Sequence, residues 1–283
     1  MVKLIINGDD FGLSSGVNRG IIYLFERGVL TSATIMMNQP GTEEAVEFAS
    51  RTPSLGLGVH LNLITGRPLL PPDKVPTLVN NDGFFFSPSR LVVRMIAGRT
   101  EKRDILAELA AQIEFCRREG LQLTYLDTHS LTHAIPVLGP LVLQLARWHE
   151  IPAVRSPRIW AAIVPYARRR SGRIGRRLGI SLGRGQERME LANTWKGLRT
   201  THYLLYLRWW LGDSCFEDLE WTIGALGKST IEIMSHPGFL DDELAALSNY
   251  VEGREEEVQI LSDQRFGDML TRLGAELTNY GSL

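Results

Sequence analysis

An excess of charge of one sign is the first thing this sequence lacks. Its 283 residues carry 31 Lys and Arg against 32 Asp and Glu, a net charge of −1. Nucleic-acid binding needs a positive surface that displaces counterions from phosphates, so we expect no such partner. Cysteine is also scarce, since Cys116 and Cys215 are the only two thiols. They cannot form a disulfide framework, and such usage is typical of a cytoplasmic protein.

Long hydrophobic runs and several common enzyme motifs are missing as well. The amino-terminal apolar run is too short for a signal peptide, and no stretch of about 18 apolar residues predicts a transmembrane helix. The sequence has no Gly-x-Ser-x-Gly elbow, no Walker loop and no Gly-x-Gly-x-x-Gly after the first strand. Its 44% hydrophobic residues are typical of a globular protein. The missing motifs predict that this protein lacks those nucleophile and nucleotide sites.

Short apolar runs alternate with helical patterns through the first 155 residues and again near the end. The predicted strands are Leu4–Ile6, Thr34–Met37, Leu57–Leu63, Leu121–Leu126, Ala153–Arg155 and Thr230–Met234. The predicted helices are Ser15–Arg27 with Ser15 as its cap, Glu43–Arg51, Lys102–Arg118, Pro140–His149 and much of Glu252–Arg272. This alternation predicts an α/β fold in which crossover helices join parallel strands.

A basic segment interrupts the pattern at about residues 160–195. It contains eight arginines, several glycines and almost no acidic residue. Such a run commonly forms a solvated face, while an anion-binding lid and a patch for acidic lipid headgroups are the alternatives. Because no repeat or low-complexity segment is present, we predict a single catalytic domain over residues 1–283 that carries this segment as an insertion.

Polar side chains lie in or directly after four of the predicted strands. They are Asp9, Asp10, His60, Asp127, His129 and His236. Catalytic groups gather where the carboxyl ends of parallel strands meet in an α/β barrel. Together these carboxylates and imidazoles predict a metal site, although each alone could be a turn, a cap or a core residue. His129 and His133 are four residues apart, but no glutamate follows His129, so this is not the His-Glu-x-x-His motif.

Four motifs stand in order along nearly the whole chain. They are Asn7-Gly8-Asp9-Asp10-Phe11-Gly12, Gly58-Val59-His60-Leu61-Asn62-Leu63, Leu126-Asp127-Thr128-His129 and Met234-Ser235-His236-Pro237-Gly238. Their order and spacing resemble the YdjC-like carbohydrate deacetylase family. The resemblance implies a distorted (β/α) barrel of the glycoside hydrolase/deacetylase type. It also implies one divalent metal ion, Mg²⁺ or Zn²⁺, held by Asp10, His60 and His129.

The same resemblance implies roles for the other polar residues. Asp9 matches the catalytic base, and His236, as an imidazolium, matches the acid that protonates the departing amine. Asp127, His133 and Arg155 are expected to orient the metal ligands or to contact substrate. The third motif departs from the family's histidine-rich pattern between His129 and His133, which leaves the substrate contacts open.

The expected reaction is hydrolysis of the N-acetyl group of an amino sugar, with release of acetate. Gly66–Pro72 and Arg155-Ser156-Pro157 look like the hopanoid-biosynthesis-associated branch, which implies a lipid-linked substrate. A soluble chito-oligosaccharide and a disaccharide phosphate are the alternative substrates. A metal-dependent isomerase or phosphoesterase and a non-catalytic sugar- or lipid-binding protein are alternative functions. The resemblance also leaves open a homodimer and peripheral contact with a membrane.

Overall fold

The computed structural model describes residues 1–135, 137–156, 197–212 and 214–283. Its strands form one sheet in the order β4-β3-β2-β1-β6-β5, and β7 pairs with the start of β1. All these pairings are parallel. Within the described residues the strands are β1 (Lys3–Phe11), β2 (Ser32–Ile35), β3 (Gly56–Leu61), β4 (Leu123–Thr128), β5 (Tyr203–Tyr206), β6 (Thr230–Ser235) and β7 (Glu276–Leu277).

Helices connect the strands and cover the sheet. In the same ranges they are α1 (Ser15–Glu26), α2 (Thr42–Ser50), α3 (Pro88–Ile96), α4 (Lys102–Arg118), α5 (Gly139–Trp148), α6 (Cys215–Leu226), α7 (Asp242–Leu247), α8 (Glu252–Ser262) and α9 (Gln264–Leu273). Short 3₁₀ turns lie at His129–Ala134, Leu207–Trp210 and Tyr280–Ser282. The predicted α/β class with parallel strands and crossover helices is confirmed.

The sheet is a half-barrel with β1 at its centre. Every residue of β1 after Lys3 is buried, as is typical of a parallel strand that is covered on both faces. Between the outer strands β4 and β5, the described residues contain two isolated parallel bridges, Leu126–Val154 and Ala153–Arg199. The strand predicted at Ala153–Arg155 is therefore reduced to these bridges.

Two strands extend further than the sequence indicated, and both extensions concern the site. β1 continues through Asp9 and Asp10 to Phe11, whereas the adjacent acids had been expected to follow the strand. β4 ends at Thr128, so Asp127 lies within the strand and His129 directly after it. The aspartates can occupy these buried strand positions because arginine side chains contact their carboxylates.

Other element boundaries also differ from the predictions. Ser14, not Ser15, caps α1, because its side chain accepts a hydrogen bond from Val17 N at 3.3 Å. β2 begins two residues earlier than predicted, and α3 lies in the long connection for which no helix was predicted. The predicted helix over Glu252–Arg272 is two helices, since the Asp263 side chain caps the start of α9.

The predicted basic segment at about 160–195 lies outside the described residues. In the ranges that are described, no helix combines the length and hydropathy needed to cross a bilayer. The single domain over residues 1–283 stays a prediction.

One face of α1 holds the chain that follows β6. Gly16 and Gly20 lie four residues apart and therefore on the same side of the helix. Phe239 N donates to Gly16 O at 2.9 Å, and a Cβ on Gly20 would lie 2.6 Å from Gly238 Cα. Only hydrogen at these positions lets the chain approach so closely. The two glycines thus fix the loop that carries His236.

Candidate active site

Three metal-binding atoms from distant parts of the chain meet at the carboxyl ends of the strands. Asp10 Oδ1 lies 3.2 Å from His60 Nε2 and 2.9 Å from His129 Nδ1. The two imidazole nitrogens are 3.3 Å apart. Asp10 and His60 are buried, while the His129 side chain is 17% exposed and opens the cluster towards solvent. The structure therefore brings together the three residues predicted as metal ligands.

Asp10 occupies an unusual backbone conformation at the end of β1. Its φ of 67° lies in the left-handed region, which costs a non-glycine residue about 1–3 kcal/mol and is concentrated at functional sites. The pairing of β1 with β2 shifts register between Gly8 and Phe11, around this position. Arg254 Nη2 donates to Asp10 Oδ2 at 2.6 Å. One oxygen of Asp10 is therefore held by Arg254, and the other faces the imidazoles.

Asp127 orients His60 across two neighbouring strands. The two residues are register partners in β3 and β4, and His60 Nδ1 lies 2.7 Å from Asp127 Oδ1. A carboxylate at Nδ1 leaves Nε2 to face Asp10, which is the usual arrangement of a metal-binding histidine and its carboxylate. Burial lowers the pKa of His60, but Asp127 and Asp10 outweigh it and raise the pKa to about 10. A bound cation would take the place of that proton.

His133 is not one of the three residues whose donor atoms converge. Its Nδ1 is 2.7 Å from Thr128 Oγ1, and its backbone N donates to the same oxygen at 2.8 Å. Burial lowers the pKa of His133 to about 3, so this imidazole is neutral. Ser130 and Leu131 both have φ above 50° and form the tight turn between His129 and His133.

Arg155 is fully buried and joins three carboxylates. Its Nη1 lies 2.8 Å from Asp9 Oδ2 and 2.5 Å from Asp127 Oδ2. Its Nη2 donates to Asp9 Oδ1 and to Glu232 Oε1, each at 2.6 Å. Burial raises the pKa of Asp9, but the Arg155 guanidinium overrides this effect and holds the pKa at about 2. Asp9 is therefore ionised at neutral pH.

His236 lies on the other side of Asp9. Ser235 pairs with Gly8 in the sheet, which places His236 beside Asp9, and its Nε2 is 3.7 Å from Asp9 Oδ2. Burial lowers the pKa of His236 to about 4, so the imidazole is neutral at rest. Its Nδ1 is buried and has no hydrogen-bond partner within the described ranges.

Sequence reasoning missed three charged residues of the site, namely Arg254, Glu232 and Glu257. Glu257 accepts a hydrogen bond from the backbone N of His236 at 2.6 Å and another from the Tyr250 hydroxyl at 2.5 Å. Burial raises the pKa of Glu257 to about 7. Glu232 carried a signal, since it is the charged residue of the apolar strand β6. Arg254 and Glu257 carried none, because both lie on the charged helix α8.

The cluster is suited to a divalent cation because one carboxylate oxygen and two imidazole nitrogens converge within 3.3 Å. A second group of potential donors, Asp9, His60 and Asp127, also lies close together. That group is not suited to a cation, since the Arg155 guanidinium already contacts both of its carboxylates. The candidate ion site is therefore Asp10, His60 and His129.

The fold and the site together define an α/β protein with an Asp-His-His centre at the carboxyl ends of its parallel strands. The model of the family described as YdjC-like protein matches residues 3–272. The chain belongs to this family, as its four motifs had predicted.

Relatives and a solved structure extend along the whole chain. It is 34% identical to a carbohydrate deacetylase of Geobacillus stearothermophilus over 98% of this chain and 96% of that protein. A carbohydrate deacetylase of Thermoanaerobacter pseudethanolicus is 30% identical over the full length of both. A crystal structure from Enterococcus faecalis V583, of a protein provisionally named a cellobiose-phosphate cleavage protein, matches with a TM-score of 0.76. It is 29% identical and covers 99% of this chain and 98% of its own.

Proposed function

We propose that this chain is a metal-dependent carbohydrate deacetylase that removes the acetyl group from an N-acetylated amino sugar and releases acetate. The observation that carries the proposal is the contact between two groups of residues. Asp10, His60 and His129 form the donor set, and the pair of Asp9 and His236 lies directly beside it. Amide hydrolysis needs both an electrophile and groups that move a proton. Relatives named carbohydrate deacetylases over their full length support the same reaction.

Asp10, His60 and His129 would hold the ion. When bound, a divalent ion polarises the acetamide carbonyl and lowers the pKa of a water molecule towards about 7. Two imidazoles and one carboxylate are compatible with Zn²⁺ and with Mg²⁺, so these are the two ions to compare. The Arg254 guanidinium on Asp10 Oδ2 keeps that carboxylate from turning away from the imidazoles.

Asp9 and His236 would carry the proton. Asp9 is ionised and is fixed by Arg155 on both oxygens, so it can accept a proton from the attacking water without reorienting. His236 is neutral at rest, and its Nε2 lies 3.7 Å from Asp9 Oδ2. Because this distance exceeds a direct hydrogen bond, a proton taken up by Asp9 would pass to His236 through one bridging water, and His236 would then protonate the departing amine. This sequence of transfers supplies the imidazolium during the reaction instead of before it.

The substrate class proposed here is an acetylated amino sugar. A lipid-linked sugar and a soluble chito-oligosaccharide both satisfy the chemistry of the site. The lipid linkage, the homodimer and the cytoplasmic location stay predictions.

Acetate release tests the proposed function. The protein is stripped of metal with a chelator, dialysed and incubated with N-acetylglucosamine or its β-1,4-linked disaccharide. We expect acetate release to fall to the background rate in the stripped protein and to return when Zn²⁺ or Mg²⁺ is added, because the donor set needs a cation to polarise the amide.

The same assay distinguishes the alternatives. If the protein binds the added ion and yet releases acetate from none of the N-acetylated sugars, the deacetylase proposal is wrong. Release of inorganic phosphate from sugar phosphates would instead identify a phosphoesterase. Binding of sugar without any product would identify a non-catalytic family member.

A further inference from the structure

Aromatic side chains lead from His236 towards the protein surface. The Tyr206 ring centroid lies 5.2 Å from that of His236, and the Trp209 centroid lies 5.4 Å from that of Tyr206. Tyr250 packs against the other side of His236 with a centroid distance of 6.0 Å. We call Trp209, Tyr206 and Tyr250 the aromatic row. It begins at the proposed leaving-group histidine and ends at an exposed indole.

The local fold holds the aromatic row in place. Tyr206 ends β5, and Trp209 follows it in the 3₁₀ turn Leu207–Trp210. Trp210 is buried and anchors this turn, whereas Trp209 is 38% exposed. The Arg208 guanidinium lies 4.0 Å from the centre of the Tyr250 ring. This contact connects the 3₁₀ turn to the tyrosine that packs on the other side of His236. The indole of Trp209 is thus partly exposed at the outer end of the aromatic row.

An exposed tryptophan is by itself ordinary, since apolar atoms make up much of any protein surface. The position of Trp209 is what favours a binding role. His236 is itself 16% exposed, so the site opens to solvent beside the aromatic row. Rigid aromatic rings with a polar edge contribute binding energy through their faces at little entropic cost.

We propose that Trp209, with Tyr206 beside it, forms a subsite that stacks on the apolar face of a second pyranose ring. This ring would be linked to the sugar that carries the acetamido group. The proposal rests on the proposed function, because the acetamido group is placed at Asp9 and His236. The subsite would make the protein prefer a disaccharide or longer chain over a single amino sugar. Arg208, at the edge of the row, offers donors to ring hydroxyls.

Binding to metal-stripped protein tests this subsite without requiring turnover. Calorimetry would compare N-acetylglucosamine with its β-1,4-linked disaccharide on the wild type, Trp209→Ala, Trp209→Phe and Trp148→Ala. Trp148 is a matched control because it is 61% exposed and is the last residue of α5. That end of the helix lies at the amino-terminal edge of the sheet, away from the site. Trp209→Ala should weaken disaccharide binding by about five- to tenfold and leave the monosaccharide unaffected.

We expect Trp209→Phe to retain most of the disaccharide affinity, since it keeps an aromatic face, and Trp148→Ala to match the wild type. Equal disaccharide affinity in Trp209→Ala and the wild type would overturn the subsite, as would an equal loss for both sugars. Unchanged sugar binding with lost binding to anionic lipid vesicles would also overturn it and assign Trp209 to membrane contact.

The two proposals can fail separately. If no N-acetylated sugar ever yields acetate but disaccharide binding depends on Trp209, the deacetylase function is wrong and the subsite stands. If acetate is released from the disaccharide with the same KM in Trp209→Ala and the wild type, the function stands and the subsite is wrong.

Discussion

Replacement of Asp9 by asparagine is expected to lower kcat for acetate release by about 10²–10⁴-fold and to leave metal binding close to the wild-type level. Asp9 faces His236 but does not belong to the converging set of Asp10, His60 and His129. Asparagine keeps the shape and one acceptor oxygen for Arg155, so the fold is retained while the proton acceptor is lost. Steady-state kinetics and metal content on the same preparation measure both effects.

Asp73→Asn is the control for this substitution, because its carboxylate is 74% exposed and belongs to a surface pair with Lys74. It should leave both kcat and metal content unchanged. Loss of the metal in Asp9→Asn, with normal kcat per bound ion, would reverse the roles assigned to Asp9 and Asp10.

Replacement of Arg155 by methionine is expected to lower the free energy of unfolding by about 3–5 kcal/mol. Arg155 is the cation that contacts Asp9, Asp127 and Glu232, and all four residues are buried. Methionine fills much of the volume but leaves these carboxylates without a positive partner. Denaturant unfolding followed by circular dichroism measures the loss, and acetate release should disappear as well.

The pH dependence adds a second measurement on the same variant. Without the guanidinium, Asp9 loses the main cause that lowers its pKa, and burial raises the pKa of Glu232 unopposed by Arg155. A buried carboxylate without a cation destabilises the fold once it is ionised, so the deficit of Arg155→Met should grow as the pH rises.

Arg272→Met is the matched control, because Arg272 donates to Glu220 at 2.7 Å but is 54% exposed. It should change the free energy of unfolding by at most about 1 kcal/mol. If Arg155→Met proves no more costly than Arg272→Met, Arg155 does not hold the three carboxylates together.

The candidate ligands could be predicted from the sequence because the topology of a parallel sheet determines where they lie. Asp10, His60 and His129 each lie at the carboxyl end of a parallel strand, and such ends meet at one edge of the sheet. Their positions therefore follow from the strand assignment, even though the predicted carboxyl ends were wrong by two residues for β4 and by five for β1. The register of β3 and β4 then places Asp127 beside His60.

The charge network around the ligands could not be predicted in this way. Arg254 reaches Asp10 from a helix that is 244 positions further along the chain, and no motif or periodicity connects the two residues. This lack of a sequence signal for the cationic partners also explains why the predicted end of β1 was wrong. Adjacent aspartates indicate a turn unless their cationic partners are known, and here Arg155 and Arg254 neutralise them within the strand.

The most direct test of the metal centre is a titration of Zn²⁺ and Mg²⁺ into metal-stripped wild type, His129→Ala and His133→Ala. His133 is a matched control because it lies four residues away, is buried and bonds to Thr128 instead of facing Asp10. We expect His129→Ala to bind the ion at least about 10–100-fold more weakly, while His133→Ala binds like the wild type. Wild-type affinity in His129→Ala, or its loss in His133→Ala alone, would contradict the assignment of Asp10, His60 and His129 as the metal-binding residues.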